Sequence, residues 1–259
     1  MLLAALLAAG CTEKQAPALG SLTPKPLPRL DALDEDGGDR DAVYRVEPAA
    51  VYGEPLPPRA TTLEVAGSHA KLGAETFDLD QPVQLAKLRT ALRQGPVLLS
   101  TDADTYLVQV SALFALLDDA KLETWILHPS GQVAFKVTLR DEPAFQQWLD
   151  APNPGNVRII QRSDGLELST NLGKLAGADP NGPTVPVRSG VLDVATLRRA
   201  LGRLKQRFDQ AADVCLVPSF GTELSRSAAA LSGDYSGAGE RIFGELCWVY
   251  PRPAKPSGK

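Results

Sequence analysis

From residue 61 onward, short apolar runs alternate with amphipathic stretches. Thr62-Leu63-Glu64-Val65 alternates with a period of two. Ala66-Gly67-Ser68-His69 reads as a turn and Ala70-Lys71-Leu72 returns, which predicts a β-hairpin. Asp80 is placed to cap a helix that Pro82 opens, with Val83, Leu85, Leu88, Ala91 and Leu92 at helical spacing. Gln94-Gly95-Pro96 ends it. Val97-Leu98-Leu99 predicts a buried strand. Leu107, Val110, Leu113, Phe114 and Leu117 predict a second helix, and Trp125-Ile126-Leu127 a strand stopped by His128-Pro129. A further strand at 133–137 and a short closing helix carrying Phe145, Trp148 and Leu149 complete this part.

The pattern then starts again. A strand at 157–162, the turn Ser163-Asp164-Gly165 and a strand at 166–170 form another hairpin. After a Gly/Pro-rich loop, Val185-Pro186-Val187 reads as an edge piece. Asp193 caps a helix bearing Leu197, Leu201, Leu204 and Phe208. A strand at 214–217 follows. The next helix starts at Leu224, Ala228 and Leu231, is interrupted by glycines, and resumes at Ile242 and Phe243. Leu246-Cys247-Trp248-Val249-Tyr250 is the last strand. VLLSTDADTYL lies against VCLVPSFGTEL, and ETWILHP against ELCWVYP. The expected fold is therefore α/β, of the α+β sandwich kind. It comprises two similar small modules, 61–150 and 151–253, each a mixed β-sheet with two helices packed on one face. Residues 254–259 are expected to be a disordered tail.

The N-terminus has a different pattern. Residues 1–10, MLLAALLAAG, are apolar and are followed at once by Cys11, Thr12, Glu13 and Lys14. Ten apolar residues are too few to span a bilayer, which needs about 20. The run fits the apolar part of an export signal. Ala9-Gly10-Cys11 resembles the lipobox of bacterial lipoproteins, which implies cleavage before Cys11, acylation of its sulfur and a bilayer as the first partner. Two or more acyl chains are what hold a soluble body on a membrane. Residues 11–60, with Pro17, Pro24, Pro26, Pro28, Pro48, Pro55, Pro57 and Pro58, read as a semi-rigid tether. The acidic run at 34–41 loosely resembles the start of a calcium loop but has Arg45 where the twelfth-position glutamate belongs, and it reads as a solvated linker.

The stretch from Leu63-Glu64-Val65 through the turn, the Leu85-x-x-Leu88 helix, Thr101-Asp102-Ala103-Asp104-Thr105 and Trp125-Ile126-Leu127 resembles the periplasmic domain of the ExbD/TolR family. That family implies a small binding module that dimerises and contacts envelope proteins or the cell wall. Its membrane helix with an ionisable Asp has no counterpart in residues 1–10, so the family's proton coupling is not implied.

Charge and side-chain chemistry narrow the function. The net charge is −4 and no basic stripe is present, which argues against nucleic acid as a partner. Three Cys and two His are too few for a zinc cluster, and no cofactor or metal is expected. Cys215 and Cys247 lie on strands expected to be close in one sheet; they are either a disulfide or two separately buried thiols. Asp102 and Asp104, in a strand-to-helix loop, are candidates for a polar ligand or for helix capping. His69 and His128 have no partner at catalytic spacing. The expected function is a non-enzymatic, lipid-anchored cell-envelope lipoprotein that binds a protein partner or peptidoglycan. The alternative is a ligand-binding or hydrolytic lipoprotein with its site in the loop 171–190 and between the modules.

Overall fold

The computed structural model describes residues 51–253 apart from 93, 154, 189–190, 220, 222 and 238. Cys11, the acidic run at 34–41, the alternating run at 42–46 and the tail 254–259 lie outside the described residues.

Strands β1 (Thr61–Ala66), β2 (His69–Leu72) and β3 (Glu75–Asp78) form an antiparallel meander. Helix α1 (Pro82–Ala91) crosses to β4 (Val97–Thr101), parallel to β1, and α2 (Leu107–Asp119) crosses to β5 (Thr124–Leu127), parallel to β4. Strand β6 (Ala134–Asp141) returns antiparallel to β5 and leads into α3 (Glu142–Asp150). The second half has β7 (Val157–Arg162), β8 (Gly165–Thr170), β9 (Gly173–Lys174), β10 (Val185–Arg188) and β11 (Val191–Leu192). Next come α4 (Val194–Arg207), β12 (Asp213–Val217), α5 (Leu224–Leu231), the small hairpin β13 (Tyr235–Gly237) and β14 (Glu240–Arg241), and β15 (Glu245–Tyr250).

Thirteen of these strands form one mixed sheet, in the order β11-β10-β8-β7-β12-β15-β6-β5-β4-β1-β2-β3, with β9 paired to β8. The sheet is unbroken across residue 150, where a module boundary was expected. Strand β6 makes the join: it pairs antiparallel with β5 up to Val137 and parallel with β15 from Thr138 onward. Residues 51–60, at the end of the expected tether, also belong to the folded body. Glu54 bridges Ala134 of β6, Gly239 N–H donates to Gly53 C=O, and Gly53 and Pro57 are buried.

Alternation along the strands sorts side chains into separate clusters. On β12, Val214 and Leu216 join the main core, which also takes Leu88 of α1, Leu113 and Phe114 of α2, Leu201 of α4 and Ala228 of α5. Cys215, between them in sequence, belongs to another cluster with Cys247, Val249, Phe145 and Trp148. Helix α3 therefore packs away from the other four. It buries none of its residues fully.

Several local expectations change. The N-cap of α1 is Gln81, not Asp80; the Asp80 N–H instead donates to the Asp78 carboxylate, tightening the turn one step early. Val83 is 69% exposed, so only Leu88 of α1 is buried, with Leu92 packed just beyond its end. The helix after Leu224 does not resume at Ile242: Ser232–Asp234 is a 3-10 turn and the β13–β14 hairpin follows, with Gly239 at φ +79. Asp193 does cap α4, accepting from Thr196 N–H.

Two glycines test this architecture. Gly165 has φ +154, and a Cβ there would stand 2.3 Å from the Val185 carbonyl oxygen, a backbone atom that cannot turn aside. Gly202, inside α4, has open space around it. Urea denaturation should show Gly165→Ala destabilised by about 2 kcal/mol or more. Gly202→Ala should be stabilised by roughly 0.5–1 kcal/mol.

Candidate functional site

The densest chemistry lies on the sheet face that α3 covers. Cys215 and Cys247 are directly opposite one another on the parallel neighbours β12 and β15. Their Cα atoms are 4.4 Å apart and their sulfurs 2.07 Å, at disulfide-bonding distance. Both side chains are fully buried. Two positions before them, Asp213 and Glu245 are also opposite one another and share that face. Two carboxylates placed this way repel unless a cation bridges them. Arg140 of β6 does so: its Nη2 donates to Asp213 Oδ2 at 2.7 Å and to Glu245 Oε1 at 3.1 Å. Its Nη1 lies 3.3 Å from Cys215 Sγ, and its guanidinium sits over the Trp148 ring at 5.2 Å. Trp148 in turn stacks on Phe145 at 5.6 Å. On the other side of Cys215, Arg158 of β7 is in register with it. Arg158 Nη2 donates to Ser169 Oγ at 3.1 Å, while its buried Nε has no hydrogen-bond partner. Burial lowers the pKa of this guanidinium.

A second polar cluster ties the entering chain to the far half. Arg241 donates to Glu54 through both Nε and Nη2, and the Tyr235 hydroxyl donates to Glu54 Oε1 at 2.9 Å. Burial drives the Tyr235 phenol well above its ordinary value. Next to it, Asp234 is fully buried; one oxygen accepts from Phe243 N–H at 3.2 Å and the other is unpartnered. Burial pushes this carboxyl well above the usual range, against the Phe243 N–H and the Arg241 charge.

The third cluster closes the C-terminal end of β15. Arg252 pairs with Asp141 at 2.7 Å, Asp119 at 2.9 Å and Asp118 at 3.4 Å. Burial alone would raise the Asp141 carboxyl, but the Ala144 N–H and Arg252 outweigh it and hold it below its ordinary value. A shallow groove of about 360 Å³ lies alongside, where the α2–β5 turn stands off the outer half of β6. Lys121, Glu123, Lys136, Thr138 and Leu139 are among its lining residues.

Of the residues singled out in sequence, Cys215 and Cys247 come together. Asp102 and Asp104 are both exposed and lie far along the sheet from the cysteine cluster. Asp102 accepts from the Thr105 hydroxyl, whose oxygen also takes the Gly67 N–H at 2.8 Å. Neither aspartate caps α2: that helix begins after Tyr106, whose N–H is taken by the Gln109 side chain. His128 bonds to Ser130, and burial lowers its pKa; His69 is exposed on β2. In the loop 171–190, Lys174 Nζ donates to Gly182 C=O and the Thr184 hydroxyl to Leu175 C=O, while Asn171 donates outward to Leu149 and Asn153 C=O. Among the described residues, no group of three or more His, Cys, Asp or Glu is placed to hold a metal, and no helix is long and apolar enough to cross a membrane.

Arg140, Arg158, Glu54, Arg241 and Asp234 escaped sequence reading. The only trace of Arg140 is that the alternation of its strand continues past Val137 through Leu139. A scan of family models, a search of curated proteins and a search of solved structures each found no match.

The Asp234 geometry sets a pH dependence. With its folded pKa raised, the native state holds a proton that the unfolded state releases from about pH 4 upward. The contribution of Asp234 to stability therefore falls as pH rises through that window. Asp234→Asn removes the term. Parallel urea titrations from pH 4 to 8 should show the variant gaining on the wild type as pH increases; a constant difference would contradict the assignment.

Proposed function

We propose that this chain is an exported, lipid-anchored envelope protein whose folded part is a binding or scaffold module rather than an enzyme. The observation that carries this reading is the fully buried cysteine pair at bonding distance. Disulfides persist in oxidising compartments outside the cytoplasm. That agrees with an apolar leader of residues 1–10 ending just before Cys11, from which the tether would lead to the folded body.

The binding half of the proposal rests on surface shape. The groove beside β6 is shallow and partly lined by exposed Lys121 and Lys136, and in the loop 171–190 Lys174 is taken up by Gly182 C=O and Glu167. By contrast, the face of β1, β2, β4 and β5 opposite the main core is broad. With Lys136 of β6, it carries Thr62, Glu64, Lys71 and Ser100 around a small apolar cluster in which Leu98, Trp125 and Ala134 are buried and Ala60 and Leu127 partly so. The exposed part of this face is polar and charged, a surface suited to a partner that binds through hydrogen bonds and ion pairs. A protein partner of the envelope, or peptidoglycan, is the occupant proposed.

We also read the two halves as copies of one module. In support, hairpin, helix, parallel strand, helix, parallel strand occurs once from β1 to β5 and once from β7 to β15. In each half the two crossover helices contribute to the same core. The likeness to ExbD/TolR rests on the sequence stretches quoted above.

Expression in a bacterial host with labelled palmitate tests the anchor: label should enter the wild-type chain and be lost in Cys11→Ser, which should leave the membrane fraction. Cross-linking in intact envelopes tests the module. Lys71→Glu, which reverses an exposed charge on this face, should weaken capture of the major cross-linked partner by roughly tenfold, the scale of a hot-spot change. Unlabelled, soluble wild-type protein would reject the anchor; capture unchanged by Lys71→Glu would reject the face.

A further inference from the structure

We propose that Cys215–Cys247 is a thiol–disulfide exchange site for a dithiol substrate, with Cys247 the sulfur attacked, Cys215 the sulfur that leaves, and α3 its cover. The two sulfurs have different surroundings. Cys247 is in register with Thr138 of β6, an exposed residue, and both sulfurs are enclosed, so an incoming thiol reaches Cys247 when α3 moves aside. Cys215 has Arg140 Nη1 at 3.3 Å and Arg158 in register on the neighbouring strand. Guanidinium N–H groups stabilise a thiolate, which makes the sulfur beside them the better leaving group.

The charges facing the pair are Arg140 from β6, Arg158 from β7, Asp213 from β12 and Glu245 from β15. Helix α3 contributes the aromatic side chains Phe145 and Trp148. Both carboxylates hold Arg140 Nη2, leaving Nη1 directed at sulfur. The cover is lightly fastened: α3 has no buried residue, and it is tied at its end by Asn156 on Trp148 C=O and Asn171 on Leu149 C=O. A surface helix with no fully buried residue opens locally more often than the core unfolds.

In the reaction a thiolate of the dithiol attacks Cys247 Sγ. The new bond joins the substrate sulfur to Cys247, and the electron pair of the broken bond goes to Cys215 as thiolate. The second thiol then attacks the first substrate sulfur, releasing Cys247, which takes a proton. The dithiol is oxidised to a disulfide by two electrons, and the cysteine pair is reduced.

The test uses the full chain with Cys11→Ser, so that only this pair carries thiols, and dithiothreitol under native conditions as the probe. Rapid trapping with N-ethylmaleimide and peptide mapping should place the mixed disulfide on Cys247 and the alkyl group on Cys215. After reduction, Cys215 should alkylate at lower pH than Cys247. Arg140→Gln should cut its rate near neutral pH about tenfold, and Arg140→Lys should restore much of it. Trp148→Ala should speed reduction about tenfold, beyond any change in the unfolding rate measured in urea. Mixed disulfide on Cys215, or reduction no faster than global unfolding in every variant, would overturn the proposal.

Discussion

Strand β6 is the constraint on which the rest depends. It joins the two halves, pairing antiparallel with β5 over its first part and parallel with β15 over its second. Because both partners sit on a single strand, their registers cannot shift independently, and a slip by one residue would turn every inward side chain outward. The core is accordingly shared across the join. Phe114 of α2 packs against Trp248 and Tyr250 of β15 at 5.8 and 6.0 Å. The Tyr250 hydroxyl reaches Asp118 at the C-terminal end of the same helix.

Polar groups on either side of this seam hold what hydrophobic burial alone would leave ambiguous. Asp213 and Glu245 are placed opposite one another by the β12–β15 register, and Arg140 resolves their repulsion from β6, the strand beside β15. Glu54 and Arg241 do the same for the entering chain, with side chains 17% and 23% exposed for Arg241 and Glu54. Pairs this buried contribute little net stability, since desolvation offsets much of their attraction, but losing one partner is costly. Their effect here is to fix which strands meet. The cysteine pair would add about 3–4 kcal/mol by closing a loop of 32 residues in the chain-entropy view.

Two acids show how similar groups diverge with surroundings. Asp141 lies at the exposed start of α3 and is held ionised by a backbone donor and Arg252. Asp234 is fully enclosed, with one oxygen bonded and one bare. A buried carboxyl with a bare oxygen is cheaper to keep protonated than to charge. The β13–β14 hairpin that shelters it was also the element least visible in sequence, because Ser232-Gly233 and Gly237 read as a helix interrupted.

What the sequence determined by itself are the elements governed by local pattern. The alternation at 157–162, the stripe of Leu107, Val110, Leu113, Phe114 and Leu117, and the cap Asp193 each depend on neighbours within one or two turns, and each is found as read. The tertiary structure alone decided that the strands form one sheet, that α3 covers the face opposite the other helices, and that Arg140 meets Asp213 and Glu245 across 73 and 105 residues of chain. Strand order and the meeting of distant charges depend on how separate strands pair edge to edge, and hydrophobic periodicity, which reports only the face a residue presents, carries no information about which edge comes next.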